Sequence, residues 1–173
     1  SGIMQNLHAP WRMEFVGGEK PPGCLFCRVV QAPATQDEEY LVVYRNNQAL
    51  VLLNRFPYTS GHLLVVPRTH VAALQKMGDE TLLALMQLVR TTLRLLEAEL
   101  HPQAFNVGTN LGEAAGAGIP EHLHFHVVPR WIGDTNFMPV LGQVTVINEH
   151  LHTTWQKLRE ALPKVLAEEG ERG

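Results

Sequence analysis

Apolar residues arrive early in the chain as three short, nearly continuous runs: "YLVVY" at 40–44, "QALVLLN" at 48–54 and "GHLLVVP" at 61–67. Asn46-Asn47 separates the first two and "RFPYTS" the last two, so the pattern predicts a meander of three strands joined by turns. Beyond Gly78 the spacing changes. Leu82, Leu85, Met86, Val89, Leu93 and Leu96 recur at helical intervals, which predicts an amphipathic helix lying on the sheet, with Asp79 near its start. "AFNVGTN" reads as a fourth strand, and the Gly- and Ala-rich loop "LGEAAGAGIP" then leads into a fifth, "HLHFHVV". After Trp131 a polar loop, "IGDTNFMP", passes through "QVTVI" to a second helix carrying Leu151, Trp155, Leu158 and Leu162, in which Pro163 is expected to produce a kink. Residues 1–23 read as an arm, "CLFCRVV" as a short apolar piece and "APATQDEE" as an exposed polar loop. The expectation is an α+β protein with one domain over residues 24–173.

Charge narrows the partners. Fourteen basic against 17 acidic residues give a formal net charge of −3, and no Lys/Arg block supplies the footprint of a duplex-binding protein, so bulk nucleic acid is not an expected partner. A small anion held by local donors fits this balance. No run approaches the about 20 apolar residues of a membrane span. The first residues lack the basic, apolar and small-residue order of a secretory signal, which makes the cytoplasm the expected location. Ser1-Gly2-Ile3 before Met4 reads as a tag-removal scar and is left out of the fold argument.

The fifth strand carries the candidate chemistry. Side chains alternate across a strand, so His122, His124 and His126 share one face, in a ridge roughly 13 Å long, while Leu123, Phe125 and Val127 back them from the other. An imidazole can attack, donate to an anion or bind a metal near neutral pH, so one such ridge can divide these tasks. Gly108, Gly112, Gly116 and Gly118, with Asn106 and Asn110, lie just upstream. Small residues let backbone N–H groups approach phosphate oxygens, although the spacing is neither a Walker loop nor a dinucleotide-binding fingerprint.

His62 lies beside the ridge if its strand pairs with the histidine strand; otherwise it is a hydrogen-bonded core residue. Cys24 and Cys27 are the only cysteines. As a pair they fit a redox CxxC, a zinc half-site or two unrelated thiols, and spacing alone does not choose. Adding His70 and His122 would give an S2N2 set suited to zinc.

"HLHFHVV" resembles the defining motif of the histidine triad superfamily. "LHAPWRMEFV", "CLFC", "NRFPYTSGHLLVVPRTH", "FNVGTNLGEAAGAGIPEHLHFHVVPRW" and "GDTNFMPV" extend the likeness over most of the chain, toward the bacterial branch similar to diadenosine tetraphosphate phosphorylases. The resemblance implies a five-stranded antiparallel sheet with flanking helices, and a homodimer. It implies His124 as the nucleophile that accepts a nucleoside monophosphate, His126 at the phosphate and leaving group, and His62 in the same histidine network. Asn54 matches the ribose contact; Asn110, Gly116, Ala117 and Gly118 match the phosphate-holding stretch, with Gly118 standing where the family often has glutamine. Cys24, Cys27, His70 and His122 match the zinc ligands of metal-containing relatives, and four protein ligands make such a zinc structural. The implied activity is nucleotidyl transfer from a dinucleoside polyphosphate, with inorganic phosphate as co-substrate. The alternatives are a hydrolase of dinucleoside polyphosphates, nucleoside phosphoramidates or another adenylated small molecule, and a non-catalytic nucleotide-binding protein.

Overall fold

The computed structural model describes residues 23–134 and 144–172. The arm expected over 1–23 thus lies outside the described residues except for Gly23, as does the polar loop after Asp134, with most of "GDTNFMPV". The described elements are helix α1 (Leu25–Gln31), a 3-10 turn (Ala34–Gln36), helix α2 (Asp37–Tyr40), strands β1 (Val42–Arg45), β2 (Ala49–Leu53) and β3 (Leu63–Pro67), a 3-10 turn (Leu74–Lys76), helix α3 (Asp79–Leu100), strand β4 (Ala104–Gly108), a 3-10 turn (Glu113–Ala115), strand β5 (Phe125–Arg130) and helix α4 (Val144–Arg172). The five strands form one antiparallel sheet in the order β1-β2-β3-β5-β4. This is the α+β architecture expected from the hydrophobic pattern.

Both faces of the sheet are covered at β2 and β3, which is why these strands read as continuous apolar runs rather than alternating ones. Val43, Ala49, Val51, Leu53, Leu63, Val65 and Val127 pack on one face against Leu85, Leu88, Leu95 and Leu96 of α3 and Leu151, Leu158 and Leu162 of α4. Val42, Leu50, Leu52, Leu64 and Val66 point to the other face and bury Phe26 and Val29 of α1. That second face is where the histidines lie.

Two expectations change. Met86 is exposed, and Leu88, Thr92 and Leu95 join Leu85, Val89 and Leu96 on the buried side, because α3 is covered by α4 as well as by the sheet. Thr91 and Thr92 return their hydroxyls to the carbonyls of Gln87 and Leu88, which satisfies them within the helix. "CLFCRVV" forms the helix α1, and "APATQDEE" is largely exposed as expected, with Asp37 buried, but from Ala34 onward it is helical rather than a loop. Asp37 accepts from Arg45 Nε at 2.8 Å and pairs with Arg159 of α4 at 3.4 Å, while Arg45 also donates to the Val29 carbonyl. These contacts tie α1, β1 and α4 together at one sheet edge. Trp155 Nε1 reinforces them by donating to the Val42 carbonyl. Helix α4 runs through Pro163 as one element of 29 residues.

The chain enters β3 through a tight loop from Asn54 to His62. Asn54 Oδ1 accepts the Phe56 N–H, Asn54 N–H donates to the His62 carbonyl, and Thr59 Oγ1 donates to the Pro129 carbonyl of β5. Gly61 sits at φ +86°, where an added Cβ would run into Leu100 Cδ1 and approach Leu96 Cδ2 to 3.3 Å. Gly61→Ala is therefore expected to cost roughly 2–4 kcal/mol, combining dihedral strain with overpacking. Gly133, also at positive φ but with open space around it, should cost only about 1 kcal/mol as Ala. Urea unfolding midpoints compare the two; equal losses would remove the steric part of this account.

Candidate active site and metal-binding cluster

Only His126 of the three ridge histidines lies within β5, which begins at Phe125; His122 and His124 occupy the extended approach to it. Alternation nevertheless continues through the approach: Leu123 turns into the helix-side core, while its N–H donates to the Val71 carbonyl at 2.8 Å. The three imidazoles thus share the face opposite the long helices. β3 and β5 pair with Leu64 opposite His126, and β4 places Gly108 opposite His126 on its other side. This register sets His62, one residue before β3, diagonally beside His126.

Hydrogen bonds to backbone groups determine the tautomers of the neutral rings, because an amide N–H only donates and a carbonyl only accepts. Tyr58 N–H donates to His62 Nδ1 at 3.2 Å, so the His62 proton sits on Nε2. That Nε2–H donates to His126 Nδ1 at 2.9 Å, leaving the His126 proton on Nε2. His124 has the reverse arrangement. Its Nδ1–H donates to the His122 carbonyl at 2.9 Å, so the Nε2 of His124 carries a lone pair. Two neighbouring rings, 5.1 Å apart, thereby carry one ring nitrogen with a lone pair and one N–H donor. His62 is fully buried, His124 nearly so and His126 half-buried.

His122 serves a different cluster. Its Nε2–H donates to the Pro67 carbonyl at 2.8 Å, which turns an unprotonated Nδ1 toward Cys24 Sγ at 3.5 Å and Cys27 Sγ at 3.6 Å. His70 Nδ1 lies 3.2 Å from Cys27 Sγ. Cys24 is the N-cap of α1 and Cys27 lies three residues on, so one helical turn aims both sulfurs the same way. All four ligand atoms fall within 4.8 Å of one another. Tetrahedral coordination with usual Zn–S and Zn–N bonds would place neighbouring S and N atoms about 3.6 Å apart, close to the separations found. The carbonyl partner on His122 is the kind of outer support that orients a metal-bound imidazole. Burial keeps His122 below the ordinary imidazole range and pushes the Cys24 thiol up to about 11, so a metal ion entering here displaces a thiol proton. The four residues form a cluster able to hold a metal ion.

The other expected site residues are placed as follows. Asn54 is buried beside the His62 entrance, with its side-chain oxygen committed to the Phe56 turn. Asn110 is exposed at the end of β4. In the glycine loop, Gly112 and Gly116 both adopt φ +89°, and the N–H groups of Gly116 and Ala117 donate to the Glu113 and Gly112 carbonyls. A phosphate seated there would compete for those two amides. Gly118 is half-buried between Ala117 and Ile119. Three further residues escaped the pattern reading. Thr109 Oγ1 donates to the His124 carbonyl at 2.7 Å, Tyr58 stacks on His62 at 5.3 Å, and Phe26 packs against both His122 and His124. Each is sequence-adjacent to a motif, but only long-range pairing shows what it touches.

The tautomer assignment is open to measurement. In [15N]histidine-labelled protein, long-range 1H–15N correlations are expected to report Nδ1–H at His124 and Nε2–H at His62 and His126. His62→Ala should let His126 populate both tautomers without changing His124. An Nε2–H signal at His124 would reverse the assignment of its lone pair.

Known proteins place this geometry in context. A model of the HIT domain matches residues 35–131. A Mycobacterium tuberculosis protein named AP-4-A phosphorylase is 38% identical over 161 residues, covering 87% of this chain and 80% of the relative. Among solved structures, a Zn-bound histidine triad family protein from Mycobacterium smegmatis superposes with a TM-score of 0.67 at 28% identity, covering 84% of this chain and 96% of that one. A hypothetical histidine triad nucleotide-binding protein from Sulfolobus tokodaii gives a TM-score of 0.68 at 25% identity over 82% of this chain and 93% of its own. With a domain match over more than half of its length and its histidines on one face of the sheet, this chain belongs to the histidine triad (HIT) family.

Proposed function

We propose that the protein is a nucleotidyltransferase that cleaves dinucleoside polyphosphates by phosphorolysis, converting diadenosine tetraphosphate and inorganic phosphate to ADP and ATP. The observation that carries this reading is the opposed tautomers of His124 and His126. His124 Nε2 attacks the α-phosphorus, the bond from that phosphorus to the bridging oxygen breaks, and ATP leaves. The product of this step is an adenylyl-histidine. Its Nδ1–H remains on the His122 carbonyl, whose dipole favours the positive charge the ring acquires. His126 Nε2–H donates to the oxygens that gain charge, with the His62 ring behind it as its anchor. Phosphate then attacks the same phosphorus and releases ADP, restoring the imidazole. Asn54 contributes the ribose contact; Asn110, Gly116, Ala117 and Gly118 contribute the phosphate-holding loop. The name of the 38%-identical mycobacterial relative supports phosphate over water as acceptor.

Zinc held by Cys24, Cys27, His70 and His122 would fill all four positions with protein ligands, so it would staple α1 to the approach of β5 rather than activate water. The Zn-bound mycobacterial relative supports this choice of metal. β4 presents an exposed edge, with Val107 46% exposed, and a second copy of the chain would cover it. The reading treats residues 24–173 as one catalytic domain.

Two measurements follow. Turnover of diadenosine tetraphosphate with labelled inorganic phosphate should place label in ADP, and an acid-labile adenylyl group should be recovered on His124. His124→Ala should lose activity by roughly 10³-fold or more. AMP as the product would make the enzyme a hydrolase, and nucleotide binding without turnover would make it a binder. Elemental analysis should give one zinc per chain, falling toward zero in Cys24→Ser. At free zinc about 100 times its dissociation constant, the metal contributes about 2.7 kcal/mol to stability, visible as a higher unfolding midpoint. Equal stability with and without zinc would remove the structural role.

A further inference from the structure

Phe26 occupies the first turn of α1 between the two cysteines and is fully buried. Its ring meets His122 edge-on at 5.5 Å, with an interplanar angle of 67°. It meets His124 closer still, at 4.8 Å and 54°. His126 lies 5.1 Å from His124. The bond from His124 Nδ1–H to the His122 carbonyl holds one corner of the imidazole, and the rings of Phe26 and His126 flank the rest of it. Phe26 is the apolar body packed against this ring. Its own position depends on α1, a helix of seven residues without a side-chain cap, too short to hold itself in water. Burial of Phe26 and Val29 holds the helix from within, and a metal ion held by Cys24, Cys27, His70 and His122 would clamp its first turn.

We propose that Phe26 is a positioning residue that couples the metal-binding turn to the His124 imidazole, so that an occupied metal cluster keeps the ring aligned. Its catalytic meaning rests on the nucleotidyl-histidine reading above; the coupling itself does not. Metal bound at the two sulfurs restrains α1, α1 restrains the Phe26 ring, and that ring restrains His124. A second route between metal and nucleophile runs through His122, whose backbone carbonyl holds His124 Nδ1–H and whose ring also meets Phe26.

The test uses the full chain labelled with [13Cε1]histidine at one pH, zinc-loaded and after chelation, with His70→Asn as a second way to weaken the cluster from its exposed side. In the parent protein, zinc loss is expected to shift and broaden the His124 Cε1–H resonance while the His62 resonance stays in place. Phe26→Leu keeps an apolar side chain in the core and should retain one zinc per chain, but its His124 response to zinc loss should shrink at least threefold. With diadenosine tetraphosphate, the zinc-loaded variant should show kcat lowered about tenfold and KM within about twofold, the split expected of a misaligned nucleophile. A His124 resonance indifferent to zinc in both the chelated parent and His70→Asn overturns the coupling. A full-sized response in Phe26→Leu overturns Phe26 as its route. Failure of the parent protein to turn over any dinucleotide, with the resonance coupling present, overturns the nucleotidyl-transfer reading alone.

Discussion

His122 is fully buried, and its polar groups serve different parts of the site. Nε2–H donates to the Pro67 carbonyl at the end of β3, Nδ1 faces the two cysteine sulfurs, and the carbonyl receives the His124 Nδ1–H. A buried imidazole without these partners would carry the desolvation cost of unmade hydrogen bonds, so the arrangement is held as a unit. Through one residue the sheet determines the ligand nitrogen, and the same residue determines the tautomer of the neighbouring ring. A shift of the His122 backbone would disturb both at once.

The sheet supplies the rigidity this needs. β2 and β3 are buried on both faces, and β5 is paired on both edges, by β3 and by β4. Such a strand cannot slip by one residue without moving His126 to the helix side and Val127 into the site. Gly108 opposite His126 leaves room on that side, and Thr109 ties the His124 carbonyl to the end of β4. The pieces that deliver chemistry lie at the ends of these strands, where the backbone is free to turn. His62 enters from the tight loop before β3, and His70 from the turn after it.

Much of the architecture was legible because local periodicity and burial agree. The meander, the long helix and the fifth strand follow from runs and spacings that survive folding almost unchanged. Where the reading differed, a distant partner decided. Asp37 belongs to a stretch as polar as any loop, yet Arg45 and Arg159 neutralise it, and Arg159 lies on the last helix. Met86 fits the helical stripe, but the position of α4 rotates the buried arc of α3 toward Leu88, Thr92 and Leu95. Neither outcome is encoded within the segment concerned.

The candidate site divides in the same way. The sequence by itself determined that His122, His124 and His126 would share a face, since alternation is a property of extended backbone and persists even before β5 formally begins. It did not determine that Cys24 and Cys27 would point together, since that needed helix α1, whose turn brings residues three apart onto one side. Only the tertiary structure decided which nitrogen of each ring carries a proton, because that depends on carbonyls and amides supplied by Pro67, His122 and Tyr58. It alone brought His70 and His122 to the sulfurs, and it alone seated Phe26 against His124. Those contacts join residues up to 98 positions apart, and hydrogen-bond direction and ring packing are set by where the chain returns, not by what stands next to it.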